Sequence, residues 1–359
     1  MLFNGQEDFK KAFDRVWHEG LCSVLRGFNV EEGLVQIIQA LYEHSSSAVT
    51  LNRQIGNFVH TTIGVRHGCL LSPVLFNLFL ERIMQYTLHD HVTSISIGGR
   101  PICNLRFADD IDLIGGSIGE LQELTNNLVT SASSFGMEVS TEKPKVMVNS
   151  THNISASIFM NGEPLEEVSS FKYFGTTLTK DGTSTSEVRI RKGIASSAMA
   201  SLERIWKSNI SFKSKYTLIR SLVLSTLLYG CETWTLLADT ERRLEAFEMR
   251  CMRRLLRISY LERKTNEPNL VGPQEPVLAT VKRRKLQWIG HVTRHNTLSK
   301  IMLQGTVEGG RKRGRQRKSW SDNVKEWTSL DMGNLLQQTT DRQAWRRVSV
   351  SPSTDSPRR

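Results

Sequence analysis

The sequence predicts an α+β protein, with an antiparallel sheet and packed helices in the first 150 residues and a basic, helical second half. In the first half, segments with apolar residues at helical spacing alternate with short segments of strand-like alternation. After residue 186 the pattern changes to long helices. Charge divides in a similar way: residues 1–150 carry 11 Lys and Arg against 16 Asp and Glu, whereas residues 151–359 carry 36 against 20.

The helices predicted in the first half cover residues 15–28, 31–44, 72–83 and 117–135. Asp14 stands where it would cap the first helix, and Pro73 suits the first turn of the third. Ser117 and Glu120 have the spacing of a capping box at the start of the fourth.

Strands are predicted between these helices. Residues 48–51 and 58–63 are expected to form a hairpin, and residues 137–148 have strand-like alternation. Alternation in residues 103–107 and again from residue 111 to 113 predicts two short strands around a tight turn at Ala108-Asp109-Asp110. We expect Asp112, the next acidic residue, to be exposed. The conspicuous acids therefore lie at the tip of a hairpin.

The second half is predicted to be helical and basic. A helix over residues 240–258 has an apolar face surrounded by arginines. The run Gly309–Lys318 is too charged and rich in glycine to pack into a core. His291 and His295 have HxxxH spacing without an evident third ligand, so packing or exposure explains them better than zinc.

Composition excludes several classes of protein. The 359 residues, 39% of them hydrophobic, suffice for a sizeable core, and the net charge of +11 points to nucleic acid as a partner. Five widely spaced cysteines without a CxxC pattern argue against a disulfide framework or a disulfide-linked partner. We find no signal peptide and no membrane-spanning run, and expect an intracellular protein without a membrane partner.

The adjacent carboxylates of Asp109 and Asp110 suggest a metal site. Two like charges at one turn repel each other unless a cation neutralises them, and oxygen ligands favour Mg²⁺ or Mn²⁺. The alternative is an acidic turn that simply faces water.

Several segments resemble motifs of LINE-type (non-LTR retrotransposon) reverse transcriptases, in the family's order. Phe107-Ala108-Asp109-Asp110 resembles the F/Y-x-D-D hairpin. The other matching segments are Asp8–Asp14, Gly64–Asn77, Gly136–Val148, the primer-grip-like Phe171–Gly175, Leu228–Trp234 and Trp288–Val292. The resemblance covers nearly the whole chain.

The resemblance implies an RNA-directed DNA polymerase that joins deoxynucleoside triphosphates to a DNA primer on an RNA template, using two Mg²⁺ or Mn²⁺ ions. It makes Asp8 and Asp109 the main metal ligands and catalytic residues, with Asp110 assisting. The residues that it places around the nucleotide are Phe9, Phe13, Arg66, Gly68 and Lys143. Of these, Phe13 would be the bulky gate against a ribose 2′-hydroxyl, and Lys143 would give a proton or a charge to the leaving phosphate.

The family match also implies an organisation of the chain. Residues 1–150 would form a partial polymerase palm, 151–185 the primer-grip-like segment, 186–262 a helical thumb and 263–359 a basic nucleic-acid-binding region. The family's fingers and endonuclease precede the first motif, so we expect this chain to be the C-terminal portion of a longer polyprotein. With only seven residues before Asp8, and a poor strand pattern in residues 4–7, we also expect Asp8 to be weakly supported.

Alternative interpretations remain at individual positions. The alternatives are that Asp8 is a solvated residue near a terminus, Phe13 a core residue and Lys143 an ordinary exposed lysine. The basic run is expected to bind template or target phosphates, to direct the protein to the nucleus, or only to be solvated. Its candidate nucleic-acid-binding residues are Arg311, Lys312, Arg313, Arg315, Arg317 and Lys318. A catalytically inactive fragment that keeps nucleic-acid affinity is the alternative function.

Overall fold

The computed structural model describes residues 2–7, 9–141, 144–149, 155–262, 276–305 and 317–350. The chain divides into two compact units, Met1–Phe171 and Lys172–Arg359. Most strands lie in the first unit and the second is mainly helical, so the prediction of a mixed helix and sheet protein is confirmed at this coarse level. The division falls inside the predicted segment 151–185, and the finer domain boundaries stay predictions.

The first unit is built from four long helices and a central sheet. Its helices are α1 (His18–Gly27), α2 (Glu32–Glu43), α3 (Ser72–Thr87) and α4 (Ile118–Ser134), preceded by a 3-10 helix at Ala12–Arg15. The central sheet contains β1 (Leu2–Glu7), β8 (Asn104–Phe107), β9 (Asp110–Gly115), β10 (Lys145–Asn149) and β13 (Glu166–Glu167). The other short strands of this unit are β2 (Ser46–Ser47), β3 (Thr50–Leu51), β4 (Gln54–Ile55), β5 (Val59–His60), β6 (Ser96–Ile97), β7 (Arg100–Pro101), β11 (Phe159–Met160) and β12 (Glu163–Pro164). Strand β14 (Ser170–Tyr173) begins at the end of this unit, and β15 (Thr176–Thr179) belongs to the second.

The central sheet has the strand order β13-β10-β1-β9-β8, and β1 is antiparallel to both of its neighbours. Gly5 pairs with Val146 on one side and with Leu113 on the other. The expectation of a poorly formed strand before Asp8 is therefore wrong. Partners on both sides satisfy the backbone of β1, and this tertiary context outweighs its weak local propensity.

The core of the first unit lies between this sheet and helices α3 and α4. Ile111 and Leu113 of β9 are buried in this core, together with Leu124 and Leu128 of α4. Asp112, expected to be exposed, is only 2% exposed. Side chains alternate along a strand, so Asp112 shares a face with Asp110, and that face is covered as well.

Two predicted helix caps differ from the structure. Helix α1 begins after Trp17 without a side-chain cap, and Asp14 instead pairs with His67, with 2.9 Å between Oδ1 and Nε2. Ser117 Oγ does accept the N–H of Glu120 at 3.1 Å, as in a capping box. The Glu120 carboxylate, however, accepts the N–H of Gly116 at 2.9 Å, so the reciprocal bond of the box is not made.

In place of the predicted hairpin of residues 48–63 the structure has two short ribbons, one nested inside the other. Strands β3 and β4 pair across a two-residue turn at Asn52-Arg53, and β2 pairs with β5 outside them. Both turn residues have positive φ, 52° and 65°. A turn of this handedness matches the twist of a two-stranded ribbon, so the chain reverses earlier than predicted.

The second unit is built mainly from helices. They are α5 (Thr185–Ser201), α6 (Glu203–Lys207), α7 (Phe212–Leu218), α8 (Ser225–Leu227), α9 (Ala238–Leu255), α10 (Val277–Arg294), α11 (Leu298–Gln304), α12 (Trp320–Thr328), α13 (Met332–Thr340) and α14 (Arg342–Val350). A π-helical segment, Ile219–Leu224, connects α7 to α8, and short 3-10 helices cover Cys231–Thr233 and Tyr260–Glu262. Across the described residues, no helix has the length and apolar character needed to cross a membrane.

Glu248 of α9 stabilises the start of α10. Both carboxylate oxygens lie 3.0 Å from the backbone N of Val277, whose N–H they accept, and the side chain is buried. Burial raises the pKa of Glu248 from its ordinary value of 4.5 to about 7. A group with a raised folded pKa contributes stability that is fully present below pH 4.5 and is lost as the pH rises through 7.

We therefore expect Glu248→Gln to flatten the pH dependence of stability. The free energy of unfolding of the wild-type second unit should fall by about 1–3 kcal/mol between pH 4.5 and pH 8 through this carboxyl, whereas the variant should not show that loss. Urea unfolding at both pH values measures the difference. Asp239→Asn, an exposed change on the same helix, should keep the wild-type dependence. Equal slopes for wild type and Glu248→Gln would contradict the assignment.

Candidate functional site

The predicted acidic hairpin is present and is sharply turned. Phe107 pairs with Asp110, so Ala108 and Asp109 alone form the turn between β8 and β9. Asp109 and Asp110 are both half-buried. Ala108 has a φ of 53°, a left-handed conformation that costs a residue with a Cβ about 1–2 kcal/mol. The surrounding sheet holds this strained turn, and the turn fixes the position of the two carboxylates.

Strand β1 ends beside this hairpin. Its last residue, Glu7, pairs with Ile111, which follows Asp110 directly. Phe9 forms an isolated bridge with Val139. The residue between Glu7 and Phe9 is Asp8, which lies outside the described residues. The chain is thus held by backbone pairing on both sides of the predicted first metal ligand.

The loop that starts the Gly64–Asn77 motif is bonded to the turn that carries Phe13. The N–H of Val65 donates to the carbonyl of Phe13, and the N–H of Gly64 donates to Val16, both at 2.8 Å. The Phe13 ring stacks on Phe76 of α3 at a centroid distance of 4.7 Å and lies 5.7 Å from the ring of His67. Residues far apart in sequence are therefore assembled around one phenylalanine.

Arg66 and Gly68, both predicted near the nucleotide, lie in this same loop. The Arg66 side chain is exposed and donates to the carbonyl of Leu41 at 3.2 Å. Gly68 has a φ of 78°, and nothing lies within 4 Å of a Cβ built there, so backbone conformation rather than space favours glycine. His67, between these two residues, is bonded to Asp14 as described above.

A cleft of about 450 Å³ separates Phe13 from the tip of the acidic hairpin; we call it the hairpin cleft. It is lined by Phe13, Pro73, Phe76, Asn77, Leu80, Glu81, Arg106, Phe107 and Ala108. Arg106 and Glu81 form an ion pair at 2.7 Å across it. The sequence interpretation missed this ion pair, because its two residues lie on different elements. It also missed the burial of Asp112, which the i, i+2 alternation after Asp110 could have indicated.

The remaining predicted residues fall into three groups. The Phe9 side chain is 4% exposed and belongs to the core, and its backbone bridges Val139; its role in nucleotide binding stays a prediction. Arg317 is exposed and Lys318 forms an ion pair with Glu326. The predicted residues that lie outside the described residues are Asp8, Lys143, Arg311, Lys312, Arg313 and Arg315.

The donor set at the hairpin suits a hard divalent cation. Asp109 and Asp110 offer carboxylate oxygens from adjacent residues, the ligand type that Mg²⁺ and Mn²⁺ prefer. Within the part of the chain that the structure describes, no group of three or more His, Cys, Asp and Glu side chains is placed to hold a metal ion. The family resemblance assigns the third carboxylate to Asp8, which lies outside the described residues.

Comparison with known proteins identifies the family. The model of the reverse transcriptase (RNA-dependent DNA polymerase) family matches residues 6–178. A transposon-derived protein of Caenorhabditis elegans is 30% identical over 208 residues, which cover 55% of this chain and 74% of that protein. The Pol polyprotein of the type-1 retrotransposable element R2 of Popillia japonica is 24% identical over 267 residues, 70% of this chain.

The R2 polyprotein is much longer than this chain, which spans 42% of its length. The RNA-directed DNA polymerase of the mobile element jockey from Drosophila funebris is 23% identical over 264 residues, which are 69% of this chain and 28% of that protein. Among solved structures, apo telomerase from Candida tropicalis is similar over 80% of this chain and 46% of the telomerase chain. The sequence identity is 12% and the TM-score is 0.43. That score is too low to assign a fold.

The residues 6–178 matched by the family model contain the acidic hairpin, the Phe13 turn and the loop bonded to that turn. The family match therefore covers the candidate site. This chain belongs to the reverse transcriptase (RNA-dependent DNA polymerase) family, in the form found in LINE-type, non-LTR retrotransposons.

Proposed function

We propose that this chain carries the polymerase centre of an RNA-directed DNA polymerase, which adds deoxynucleotides to a primer 3′-hydroxyl on an RNA template. One observation carries the proposal. The Asp109-Asp110 turn stands at the edge of the hairpin cleft, on a strand that pairs with β1, and β1 leads directly to Asp8. In this proposal the first unit acts as the palm, and the helices of 186–262 act as the thumb.

Three carboxylates are proposed to hold two Mg²⁺ or Mn²⁺ ions. Consecutive Cα atoms are about 3.8 Å apart, so Asp8 follows closely on Glu7, the partner of Ile111. Bound cations would lower the pKa of the primer hydroxyl and neutralise charge on the triphosphate. Asp8 and Asp109 would be the main ligands and Asp110 would assist. The sheet and the strained turn would hold Asp109 and Asp110 in place before any substrate arrives.

Other residues are proposed to select and orient the incoming nucleotide. Phe13, held by Phe76 and by the Val65 hydrogen bond, would occupy the space of a ribose 2′-hydroxyl. Arg66 and Gly68 would contact the nucleotide from the neighbouring loop. Lys143 would supply a proton or a positive charge to the leaving phosphate.

The test is extension of a DNA primer annealed to an RNA template by the intact chain. We expect extension with Mg²⁺ or Mn²⁺ and deoxynucleoside triphosphates, and complete loss when EDTA removes the divalent ion, because the carboxylates alone cannot activate the hydroxyl. Re-adding Mg²⁺ should restore it. Extension that persists in EDTA would contradict the proposed metal site.

Phe13→Ala tests the proposed gate. Removing the ring is expected to reduce the preference for deoxynucleotides over ribonucleotides by up to about 10²-fold, the scale on which a pocket rejects one added hydroxyl. The measured quantity is the ratio of kcat/KM for the two nucleotides in primer extension. This ratio is insensitive to loss of folded protein, which lowers both values equally. An unchanged ratio would show that Phe13 has only a packing role.

The alternative is a nucleic-acid-binding chain without polymerase activity, which the net positive charge of residues 151–359 favours. The exposed Arg242 and Arg250 of α9, with Arg253, also line an open groove of about 720 Å³. Gel shifts whose affinity falls with salt, without any primer extension, would support this alternative. The basic run of residues 311–318 is proposed to add to that affinity or to direct the protein to the nucleus.

A further inference from the structure

A second cavity of the first unit lies away from the acidic hairpin. It has a volume of about 440 Å³ and lies between α1, α2 and residues 60–63; we call it the α1–α2 cavity. It shares no lining residue with the hairpin cleft. Its size is within the range of small-molecule sites, which is roughly 300–1,000 Å³. The proposed polymerase chemistry leaves it without a role.

Planar rings and hydrogen-bonding groups line this cavity together. Trp17 is 43% exposed, and His18 and Tyr42 pack against each other with ring centroids 4.7 Å apart. Gln39 and His60 add exposed polar groups to the lining. Flat apolar faces beside hydrogen-bonding edges suit a flat, polar-edged ligand such as a nucleobase.

The buried hydroxyl of Tyr42 lacks a hydrogen-bond partner among the described residues. Tyr42 is 3% exposed, and its hydroxyl makes no hydrogen bond among the residues that the structure describes. A buried polar group left unpaired costs about 1–3 kcal/mol, so such groups ordinarily have a partner. His18 does not serve here, because its Nε2 is bonded to the carbonyl of Gly64 at 2.8 Å. A ligand in the cavity would supply the missing hydrogen bond.

One segment beside the cavity carries no acidic residue, whereas Glu19 and Glu43 of the helices also line the cavity. Residues 44–80 contain no Asp or Glu, and they include Arg53 at the tip of the β3–β4 ribbon and Arg66. Phe58, in the same stretch, is 70% exposed. His60 belongs to both the acid-free stretch and the cavity lining. A polyanion could therefore pass beside the cavity without charge repulsion from this segment.

We propose that the α1–α2 cavity binds one unstacked base of a single-stranded RNA, whose phosphates run along the acid-free segment 44–80. Trp17 and His60 provide ring faces for stacking, and Tyr42 and Gln39 provide hydrogen bonds to the base edge. The choice of RNA rests on the proposed function, whereas the base site rests on the cavity itself. Such a site would hold the template at a point separate from the catalytic hairpin.

Equilibrium binding of the intact chain tests the proposal with two fluorescent probes, a ten-nucleotide oligouridylate and an abasic ribose-phosphate strand of the same length. Base stacking is worth about 1–3 kcal/mol per base, so we expect the oligouridylate to bind roughly 5- to 100-fold more tightly. His60→Ala and Trp17→Leu should each remove most of that difference. His44→Ala, an exposed histidine of the same segment that does not line the cavity, should leave it unchanged.

A crosslinking measurement locates the base. Irradiating the chain with an oligonucleotide that contains 5-iodouridine should modify the peptide that carries Trp17, as read by mass spectrometry. Equal affinities for the two probes, a wild-type difference in His60→Ala, or a crosslink confined to other peptides would each overturn the proposal. The polymerase proposal can fail independently of this one. A chain that does not extend the primer but still binds RNA in a base-dependent way would contradict the polymerase proposal alone.

Discussion

Asp109→Asn is expected to abolish primer extension, with a loss of at least about 10²–10³ in rate. Asparagine has nearly the same shape as aspartate and fits the same turn position, so the hairpin between β8 and β9 should persist. The negative charge that binds the divalent cations is lost. Initial rates of primer extension on an RNA template, at saturating nucleotide, measure the effect.

The matched control for this change is Asp90→Asn. Asp90 is also an aspartate of the first unit, but its side chain is 89% exposed and pairs with neighbouring His89. Its φ of 61° is a left-handed conformation that asparagine adopts readily, so the control should fold and extend normally. Wild-type extension by Asp109→Asn would refute the metal site. RNA binding retained by an inactive Asp109→Asn would separate catalysis from binding.

Asn323→Ala is expected to have the largest effect on stability, a loss of about 3–5 kcal/mol. Asn323 is completely buried on α12. Its Oδ1 accepts the N–H of Leu236 at 2.7 Å and its Nδ2 donates to the carbonyl of the same residue at 2.9 Å. The Nζ of buried Lys285 also donates to this Oδ1, at 3.2 Å. One truncation thus leaves three buried polar groups with fewer partners.

Lys285 makes the buried hydrogen-bond network of Asn323 sensitive to the Asn323→Ala truncation. Burial lowers the pKa of Lys285 to about 7, whereas the carbonyl of Trp234, 2.7 Å from Nζ, and the ring face of Trp320 favour the ammonium form. Removing Asn323 withdraws a hydrogen-bond acceptor from the buried Nζ of Lys285. Urea unfolding followed by tryptophan fluorescence reports the change, because Trp234, Trp320 and Trp327 border the network.

Asn296→Ala is the control for the stability measurement. Asn296 is exposed in the same unit, so its truncation should alter the free energy of unfolding by less than about 0.5 kcal/mol. Similar unfolding midpoints for Asn323→Ala and Asn296→Ala would show that the buried network contributes little.

Local patterns predicted the parts of the fold that depend on neighbouring residues. The apolar spacing of α3 and α4 and the alternation around Ala108-Asp109 each follow from residues within a few positions, and the structure confirms these elements. The order of the family's motifs also predicted the grouping of Phe13 with the Arg66 loop. The hairpin and its acids were therefore determined by the sequence itself.

Tertiary structure decided the features that depend on distant partners. Residues 4–7 form a central strand because β9 and β10 pair with them, and Asp112 is buried because its neighbours cover that face of the sheet. Lys285 and Asn323 meet across 38 positions. Pairing, burial and cavity shape arise from contacts between residues far apart in the chain, which no local pattern records. The sequence thus determined which acids this protein carries and in what order, and the fold decided what holds them.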